Sequence, residues 1–418
     1  MRTARVLRRR PSDPHMPPPR IAVCFWRLGP YHHARLEAAG RKLDVVAVEF
    51  VGRDETYAWD ILGGSKGFGR VTLQPDYDGS GQARRKARRL MDDALDRIRP
   101  DAVAVPGWSL PDALMALDWC RRNRRPSILM SESTAWDSAR NPLAEALKSR
   151  VVDLCSSALV GGSPHKEYVM RLGMPEAAVW TGYDAVDNCH FDAGSEAWRQ
   201  LHGRLPRVPS FLASARFIEK KNLELLIRAF AGYRKKQAES HPGSVIWNLV
   251  ILGDGPMRPK LENAVRTLGL TEAVTLPGFI QYPELPSRYA AAQAFVHAST
   301  TEQWGLVVNE AMACRLPVLV SDRCGCAPDL VRQGVNGWTF DPADESALAD
   351  LMLRLATLPE PQRTAMGSAS HQIIEEWGPA RFADGMACAA ELACHLGPPP
   401  VRFFDGLLLK ALAGRSAG

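Results

Sequence analysis

Short, unbroken apolar runs alternate along the chain with polar turns and segments of helical composition, beginning at Ile21. Strands buried on both faces carry such continuous apolar sequences, whereas half-exposed strands alternate apolar and polar positions. The pattern therefore predicts parallel sheets built from βαβ units. In the first half of the chain the predicted strands are IAVCFW, DVVAVEFV, DAVAVPG, PSILMS and SALVGG.

The pattern lapses between residues 184 and 209, where the sequence is polar and lacks strand candidates, and then starts again. The second series of predicted strands is FLASAR, VIWNLVIL, AVTLPG, AFVHAS, PVLVSD and GWTF. We therefore predict two α/β domains with doubly wound, Rossmann-like parallel sheets. Ligands of such folds bind outside the carboxyl ends of the strands, so two facing domains place the binding site in the cleft between them.

The interruption also sets the predicted domain boundaries. A basic arm without regular structure covers residues 1–20, and the first Rossmann-like domain covers residues 21–187. A linker over residues 188–208 leads to the second Rossmann-like domain over residues 209–375. Helices over residues 376–418 are expected to cross back to the first domain.

Length and composition agree with this organisation. A chain of 418 residues is too long for a single hydrophobic core, and its 46% apolar and 23% charged residues are ordinary for a globular protein. No run approaches the roughly 18 apolar residues of a membrane span. The basic N-terminus lacks the apolar segment of a signal peptide, so a cytoplasmic protein is expected.

The net charge of +6 is unevenly distributed, with basic clusters in residues 1–20 and 83–100. A basic helix over residues 83–100 could dock on an anionic membrane, which would make the protein peripheral at the inner face. The alternative is a solvated helix face, which the neighbouring Asp92, Asp93 and Asp96 favour. No nucleic-acid partner is predicted.

No metal site is predicted. The nine cysteines are mostly scattered in apolar stretches, and the close pair Cys324 and Cys326 lacks a second pair at zinc spacing. The Asp-x-Asp in PDYDG, residues 75–79, lies outside the strand pattern that a metal site of that kind needs. We therefore interpret PDYDG as a turn.

The segment TTEQWGLVVNEAMACR contains two carboxylates that can face one cleft. Glu302 falls in the loop after a predicted strand, and Glu310 falls about one turn inside the next predicted helix. A carboxylate can accept hydrogen bonds from vicinal ribose hydroxyls or stabilise positive charge at an anomeric carbon. The helix start at Gly305 and Leu306 offers amides suited to a phosphate. An exposed loop glutamate and a glutamate near a helix start remain the alternative for these residues.

The segment SARFIEKKNLELL adds two cations at the end of the second domain's first strand. Arg216 and Lys221 are placed to neutralise the charge that develops on a departing diphosphate, although a solvated basic loop has the same composition. The glycine turn in VILGDGP, at Gly253, would let the backbone approach a nucleotide, which is a weak signal by itself.

Together, several motifs resemble glycosyltransferase family 4, also called glycosyl transferases group 1, whose members have the GT-B fold. The resemblance covers about residues 20–390, is strongest over 210–345, and rests on GPYHHARL, ARFIEKKNLELLIRAF, LVILGDGP, TEQWGLVVNEAMA and GVNGWTF. It implies a retaining, metal-independent transfer of a hexose or similar sugar from a nucleoside-diphosphate donor, without a further cofactor. It also implies an acceptor domain at the N-terminus and a nucleotide-sugar domain at the C-terminus.

The resemblance also implies the roles of individual residues. Arg216 and Lys221 would hold the diphosphate, Glu310 the ribose, and Glu302 the donor sugar. Gly305 and Leu306 would offer amides to the phosphate. Gly253 would let the backbone approach the donor, and Gly29 would let it approach the donor phosphate or the acceptor. The implied acceptor is a saccharide or a lipid-linked saccharide, in the synthesis of cell-surface polysaccharide, lipopolysaccharide or glycolipid.

One departure from the family concerns a histidine that many members carry after the fourth or fifth strand of the N-terminal domain. The corresponding places here read VPGWS and MSESTAWDSAR. Trp108, Ser131 and Glu132 are therefore candidates for the acceptor side, although Glu132, at the end of a predicted strand, could instead cap the next element. His32 and His33 are further candidates, although a surface position at a helix start is the alternative for them.

Three other kinds of function fit a chain with two α/β domains. A nucleotide-sugar epimerase or phosphorylase of the same fold needs a catalytic base or cofactor lysine for which the sequence has no motif. A dehydrogenase would show Gly-x-Gly-x-x-Gly after the first strand, and FWRLGPYHH does not. A non-catalytic protein that binds nucleotide sugars remains an alternative.

Overall fold

The computed structural model describes residues 17–52, 67–74, 81–138, 140–202 and 208–414. Most of the predicted basic arm (residues 1–16) and the PDYDG turn at 75–79 lie outside the described residues.

The N-terminal domain is a parallel sheet covered by helices on both faces, as predicted. Its described residues form seven strands in the order β3-β2-β1-β4-β5-β6-β7. The strands are β1 (Arg20–Phe25), β2 (Asp44–Val51), β3 (Gly69–Gln74), β4 (Ala102–Pro106), β5 (Ser127–Ser131), β6 (Ser157–Val160) and β7 (Val179–Thr181). The helices are α1 (Pro30–Gly40), α2 (Gly81–Ile98), α3 (Pro111–Asn123), α4 (Pro142–Val152) and α5 (Ser163–Arg171).

The C-terminal domain repeats this architecture. Within residues 208–414, six parallel strands are arranged in the order β10-β9-β8-β11-β12-β13. They are β8 (Ser210–Ser214), β9 (Asn248–Leu252), β10 (Val274–Gly278), β11 (Ala294–His297), β12 (Val318–Ser321) and β13 (Gly337–Phe340). The helices that follow β7 are α6 (Asn188–His202), α7 (Leu223–Ser240), α8 (Arg258–Thr267), α9 (Leu285–Ala290), α10 (Leu306–Ala313), α11 (Ala327–Leu330), α12 (Glu345–Thr357), α13 (Glu360–Glu375), α14 (Pro379–Leu396) and α15 (Asp405–Gly414).

Alternate residues of β1 explain why its sequence is apolar throughout. Ile21 and Val23 pack in the core under α1 and α14, whereas Ala22 and Cys24 pack in the core under α2 and α3. All four side chains are completely buried. Both faces of the strand are therefore removed from water, as the continuous apolar run predicts.

Two strands were missed by the sequence analysis, and both lie at an edge of the N-terminal sheet. β3 (GRVTLQ) is mostly half-exposed, so its composition is mixed. β7 has three residues, of which Val179 is buried and Trp180 and Thr181 are half-buried. An edge strand with few buried positions gives too short an apolar run to be recognised.

The segment predicted as a linker contains helix α6. Its buried stripe consists of Phe191 and Ser195, and Phe191 lies in the same core cluster as residues of α10. A helix with so narrow a buried stripe is polar in most of its sequence. For this reason its pattern resembled a linker.

Two C-terminal helices lie on the N-terminal domain. α14 packs against α1, β6 and β7, and α15 packs against α3. In addition, Nε2 of His165, in α5, is 2.8 Å from the carbonyl oxygen of Gln303 in the C-terminal domain. The chain thus connects the two domains at several places around the cleft. No helix within the described residues has the length and apolar character needed to cross a bilayer.

Candidate active site between the two domains

Both cations predicted to bind a diphosphate lie on the loop after β8. Arg216 is exposed just beyond the strand, and Lys221 ends a short 3-10 turn before α7. Asn222 then adopts a left-handed conformation, with a φ of 56°, and leads into the helix. The ammonium group of Lys221 donates to Glu302 on the loop after β11. The structure therefore brings two of the predicted residues into direct contact.

The carboxylate of Glu302 is surrounded by two lysine ammonium groups and one histidine imidazole. Lys220 Nζ is 3.7 Å from its Oε1, and His297 Nε2 is 3.6 Å from its Oε2. Burial alone would raise the pKa of Glu302, but His297, Lys221 and Lys220 together hold the pKa well below its ordinary value. Glu302 is therefore a permanent anion near neutral pH.

Gly305 precedes α10 and lies beside this carboxylate. Its φ of 106° is in the left-handed region, which favours glycine. A Cβ atom at this position would be 3.6 Å from both Cγ of Glu302 and Nε2 of His297. The first-turn amides of α10, near Gly305 and Leu306, point from the positive end of the helix dipole toward the same region. The predicted phosphate-binding amides and Glu302 thus lie together.

Glu310 lies inside α10, is only 1% exposed, and has both carboxylate oxygens occupied. The hydroxyl of Tyr31 donates to Oε1 at 2.5 Å, and the hydroxyl of Tyr289 donates to Oε2 at 2.6 Å. Burial raises the pKa of Glu310 to about 7, although both hydroxyls favour the carboxylate form. Tyr31 belongs to α1, so this contact joins the two domains.

The glycine turn after β9 packs on the Arg216 loop. Gly253 has a φ of 121°, and a Cβ there would lie 1.9 Å from the carbonyl oxygen of Ala215. Phe217 also donates its backbone N–H to the carbonyl of Asp254 at 2.8 Å. Gly253 is therefore required for the close approach of two backbones, which positions the loop that carries Arg216.

A cleft of about 510 Å³ lies between the domains. Its N-terminal wall comes mainly from the loops after β1, β4 and β5, and its C-terminal wall includes Gln303 and Leu306. The predicted residues that line it, besides Leu306, are Gly29, His32, Trp108, Ser131 and Glu132.

His32 presents a neutral imidazole to this cleft. Its Nδ1 accepts the backbone N–H of Gly29 at 3.0 Å, so the amide of Gly29 is already occupied in this structure. Burial, together with the nearby Arg35 and His33, lowers the pKa of His32 to about 3. A neutral ring whose Nδ1 is an acceptor carries its proton on Nε2, so its remaining polar group is a donor.

His33 does not share this position. Its side chain is buried and packs edge-on against Phe68, with 5.6 Å between the ring centroids. The structure thus places His32 in the wall of the cleft and His33 in the core beside it. Neighbouring residues of a helix point about 100° apart, which separates the two imidazoles.

Glu132 belongs to a buried charged group that the sequence did not reveal. Burial raises the pKa of Glu132, and burial and the charge of Glu132 together raise the pKa of Asp184 well above its ordinary value. Arg35, which is 1% exposed, lies 3.7 Å from Asp184 and donates to the carbonyl of Ala185 at 2.8 Å. Burial and the mutual repulsion of two carboxylates thus favour one proton shared within this coupled pair, which leaves one negative charge beside Arg35.

Glu49 holds the loop that carries Gly29. The buried carboxylate of Glu49 accepts the backbone N–H of Leu28 and the hydroxyl of Thr72, each at 2.8 Å, and pairs with Arg70. Glu49 of β2 therefore connects the β1–α1 loop to Arg70 and Thr72 of β3.

Residues 195–372 match the family model described as glycosyl transferases group 1. This part of the chain is therefore similar to glycosyl transferases group 1. The two domains together have the GT-B fold, since solved GT-B structures match 88% of the chain. One is HepE of Anabaena in complex with UDP, with a TM-score of 0.66, 16% identity, and coverage of 88% of this chain and 98% of that chain. Another is sucrose-phosphate synthase of Thermosynechococcus elongatus, with a TM-score of 0.67, 19% identity, and coverage of 88% and 97%.

Curated relatives resemble this chain over only part of its length. An alpha-D-kanosaminyltransferase of Streptomyces kanamyceticus is 32% identical over 172 residues, which is 40% of this chain and 42% of that protein. A D-inositol 3-phosphate glycosyltransferase of Thermobifida fusca is 30% identical over 231 residues, which is 53% of this chain and 52% of that protein. The chain thus spans about half or less of the length of these relatives.

The sequence analysis assigned no role to six residues of the site: Tyr31, Arg35, Glu49, Asp184, Tyr289 and His297. Tyr31 and Arg35 lie in the quoted motif GPYHHARL and His297 lies in AFVHAS, so the motifs contained them without indicating a role. Glu310 lies 279 residues beyond Tyr31, and such a contact exists only after the two domains meet.

Proposed function

We propose that the chain is a glycosyltransferase that moves a sugar from a nucleoside diphosphate to an acceptor hydroxyl. One observation carries this proposal: Lys221, the permanently charged Glu302 and the start of α10 lie together beside an interdomain cleft. The group 1 match of the C-terminal half supports it independently.

The donor would bind along the C-terminal wall. Arg216 and Lys221 would neutralise the diphosphate, and the amides near Gly305 and Leu306 would bind its oxygens. Glu310 would accept hydrogen bonds from the ribose hydroxyls. Gly253 would contribute by holding the Arg216 loop in place, and Gly29 would line the cleft opposite. UDP is the first nucleotide to test, because HepE has been solved with UDP.

The proposed reaction retains the anomeric configuration and needs no metal. The bond between the anomeric carbon and the leaving phosphate oxygen breaks, and the acceptor oxygen bonds to that carbon from the same face. The acceptor proton passes to the departing phosphate. Glu302, a fixed anion, would stabilise the positive charge that develops on the sugar, while Lys221 stabilises the negative charge on the leaving group.

The acceptor would occupy the cleft lined by His32, Trp108 and Glu132. The ring of Trp108 offers a surface against which a sugar ring can pack, and the charged Glu132 can accept a hydrogen bond from a hydroxyl. We therefore propose a saccharide or lipid-linked saccharide as the acceptor class. Roles in cell-surface polysaccharide, lipopolysaccharide or glycolipid synthesis are consistent with such an acceptor.

A competing proposal is a protein that binds nucleotide sugars without transferring them, or an epimerase of the same fold. Incubation with radiolabelled UDP-sugars and a panel of saccharide and lipid-linked acceptors separates these proposals. A transferase forms a new glycoside and releases UDP, an epimerase converts the donor sugar, and a binding protein does neither. The anomeric configuration of the product tests retention, and undiminished turnover with excess chelator tests metal independence.

We also propose a peripheral contact with an anionic membrane, based on the C-terminal segment. Phe403 and Phe404 are 90% and 69% exposed, although their rings are large and apolar. The adjacent Arg402 is 71% exposed, so a cation lies next to the aromatic pair. The segment is held by Asp405, whose carboxylate accepts from Arg150 at 2.7 and 2.5 Å. Aromatic and basic side chains presented together suit the interface of an anionic bilayer.

A further inference from the structure

The contact between Tyr31 and Glu310 bears on how the donor enters. Glu310 has two carboxylate oxygens, and each accepts one tyrosine hydroxyl, at 2.5 Å from Tyr31 and 2.6 Å from Tyr289. A ribose presents two vicinal hydroxyls to such a carboxylate. The two tyrosines therefore already supply hydrogen bonds of the kind that a ribose would make.

The two tyrosines are not equally displaceable. Tyr289 is completely buried in the core of its own domain, and Leu285, Pro286 and Ala290 of the same helix α9 are also buried. Tyr31 is half-buried, lines the cleft, and reaches Glu310 from the first turn of α1 in the other domain. Removing Tyr289 would disrupt a packed core, whereas withdrawing Tyr31 needs only a displacement of one domain or one helix start. Tyr31 is thus the hydroxyl that a ligand can replace.

We propose that Tyr31 is a specificity-determining residue of the donor site, whose hydroxyl holds the position on Glu310 that a ribose hydroxyl takes when the nucleotide binds. This inference rests on the proposed function, because it assumes that Glu310 binds the ribose. Donor binding then requires that the interdomain hydrogen bond from Tyr31 to Glu310 breaks before a ribose hydroxyl can donate to Glu310. The loss of the Tyr31 hydrogen bond lowers the affinity for the nucleotide. A nucleotide without ribose hydroxyls cannot replace that hydrogen bond with one of its own.

The exchange also connects the donor site with the acceptor cleft. Tyr31 is followed by His32, whose Nδ1 accepts the amide of Gly29, and all three residues line the cleft. Release of Tyr31 frees this helix start from the C-terminal domain. We therefore expect donor binding to change how firmly this part of the acceptor wall is held.

Calorimetric titration of the full chain with UDP, GDP and ADP first identifies the nucleoside diphosphate that binds. Tyr31→Phe keeps the ring, including its edge contact with Tyr282 at 5.7 Å between centroids, and removes only the hydroxyl. Its affinity for that nucleotide is expected to increase about tenfold, the effect of one hydrogen bond to a charged group. Tyr282→Phe is the matched control, and its affinity is expected to be unchanged.

The 2′,3′-dideoxy form of the same nucleotide makes the test specific. It lacks the hydroxyls that would replace Tyr31, so Tyr31→Phe and the unsubstituted protein are expected to bind it equally. Equal gains for both nucleotides would overturn the inference, because Tyr31 would then act only on the shape of the site. An unchanged or weaker affinity of Tyr31→Phe for the ribonucleotide would also overturn it, while leaving the proposed function intact. Absence of binding by all three ribonucleotides would overturn the proposed function itself.

Discussion

Lys221 donates to the carboxylate of Glu302, although 81 residues separate the two in the chain. The side chains of both residues are 12% exposed. Lys221 lies at the end of the β8 loop and Glu302 lies in the β11 loop, and β8 and β11 are neighbours in the sheet. This is the point at which the strand order of the sheet reverses, where doubly wound folds bind their ligands. The pair is therefore at the centre of the proposed donor site.

Glu302→Gln is expected to reduce turnover at least about 100-fold, because a neutral amide cannot stabilise the positive charge on the donor sugar. The affinity for the nucleoside diphosphate should remain within a few-fold of the original or increase, since Lys221 then has no competing carboxylate. Single-turnover kinetics and calorimetric titration measure the two effects. Glu302→Asp, which keeps the charge on a shorter side chain, should recover part of the activity. Full turnover in Glu302→Gln would contradict the assigned role.

Lys221→Met should weaken binding of the nucleoside diphosphate roughly tenfold to 100-fold, as expected for loss of one charge-assisted hydrogen bond. Lys220→Met is the matched control, because Lys220 is adjacent in the chain but is 39% exposed and lies 3.7 Å from Glu302. A solvated cation contributes less, so its loss should change the affinity several-fold at most. Equal effects of the two substitutions would show that only the overall positive charge matters.

The fold could be predicted because the buried strands have continuous apolar sequences. β1, β2 and β4 to β6 of the first sheet and all strands of the second were recognisable on that basis, whereas the edge strand β3 and the three-residue strand β7 were not. Local motifs also placed Glu302 and Glu310 correctly, one before α10 and one inside it. Both predictions needed only short-range information, such as the position of Gly305 at a helix start.

The partners of these residues could not be predicted in the same way. Asp184 follows β7 and Arg35 belongs to α1, and only the folded chain brings them to within 3.7 Å. The sequence makes His32 and His33 equal candidates, but helix geometry places His32 at the cleft and His33 in the core. The role of a residue that depends on which face of its helix is buried can be assigned only from the structure.

The raised pKa of Glu310 predicts a pH-dependent stability. The pKa of Glu310 is about 7 in the folded chain, whereas the ordinary value for a glutamate is 4.5. The folded state therefore binds the proton more tightly than the unfolded state does. The folded chain therefore loses stability as the pH rises from about 4.5 through about 7, in total by about 3 kcal/mol. Glu310→Gln should remove this loss, so that the variant gains melting temperature relative to the original protein between pH 5 and pH 8. The same difference in melting temperature between the two proteins at pH 5 and at pH 8 would contradict this prediction.

The neighbouring Glu132 and Asp184 should respond differently to amide substitution. Asp184 is 1% exposed whereas Glu132 is half-buried, so we expect the shared proton of the pair to lie on Asp184. Asp184→Asn then replaces a neutral carboxyl group with a neutral amide of similar shape. This variant is expected to keep its KM for the acceptor within a few-fold. Glu132→Gln removes the charge that faces the cleft and should raise the KM for the acceptor about tenfold, with an unchanged affinity for the nucleotide. Once an acceptor has been identified, initial rates at varied acceptor concentration measure both. The opposite ranking would place the charge on Asp184.

The exposed aromatic pair leads to a prediction that does not depend on activity. Phe403 and Phe404 lie edge to face, with 5.3 Å between their centroids, and burying each ring in a bilayer interface would contribute roughly 1.5–3 kcal/mol. The full chain should therefore cosediment with vesicles of phosphatidylglycerol and phosphatidylcholine, and the double variant Phe403→Ser, Phe404→Ser should lose most of this binding. Leu143→Ser is the matched control, because Leu143 is 70% exposed on α4, outside this segment. Equal losses in the two variants would attribute binding to general hydrophobicity, and binding that persists in vesicles of phosphatidylcholine alone would exclude the contribution of Arg402.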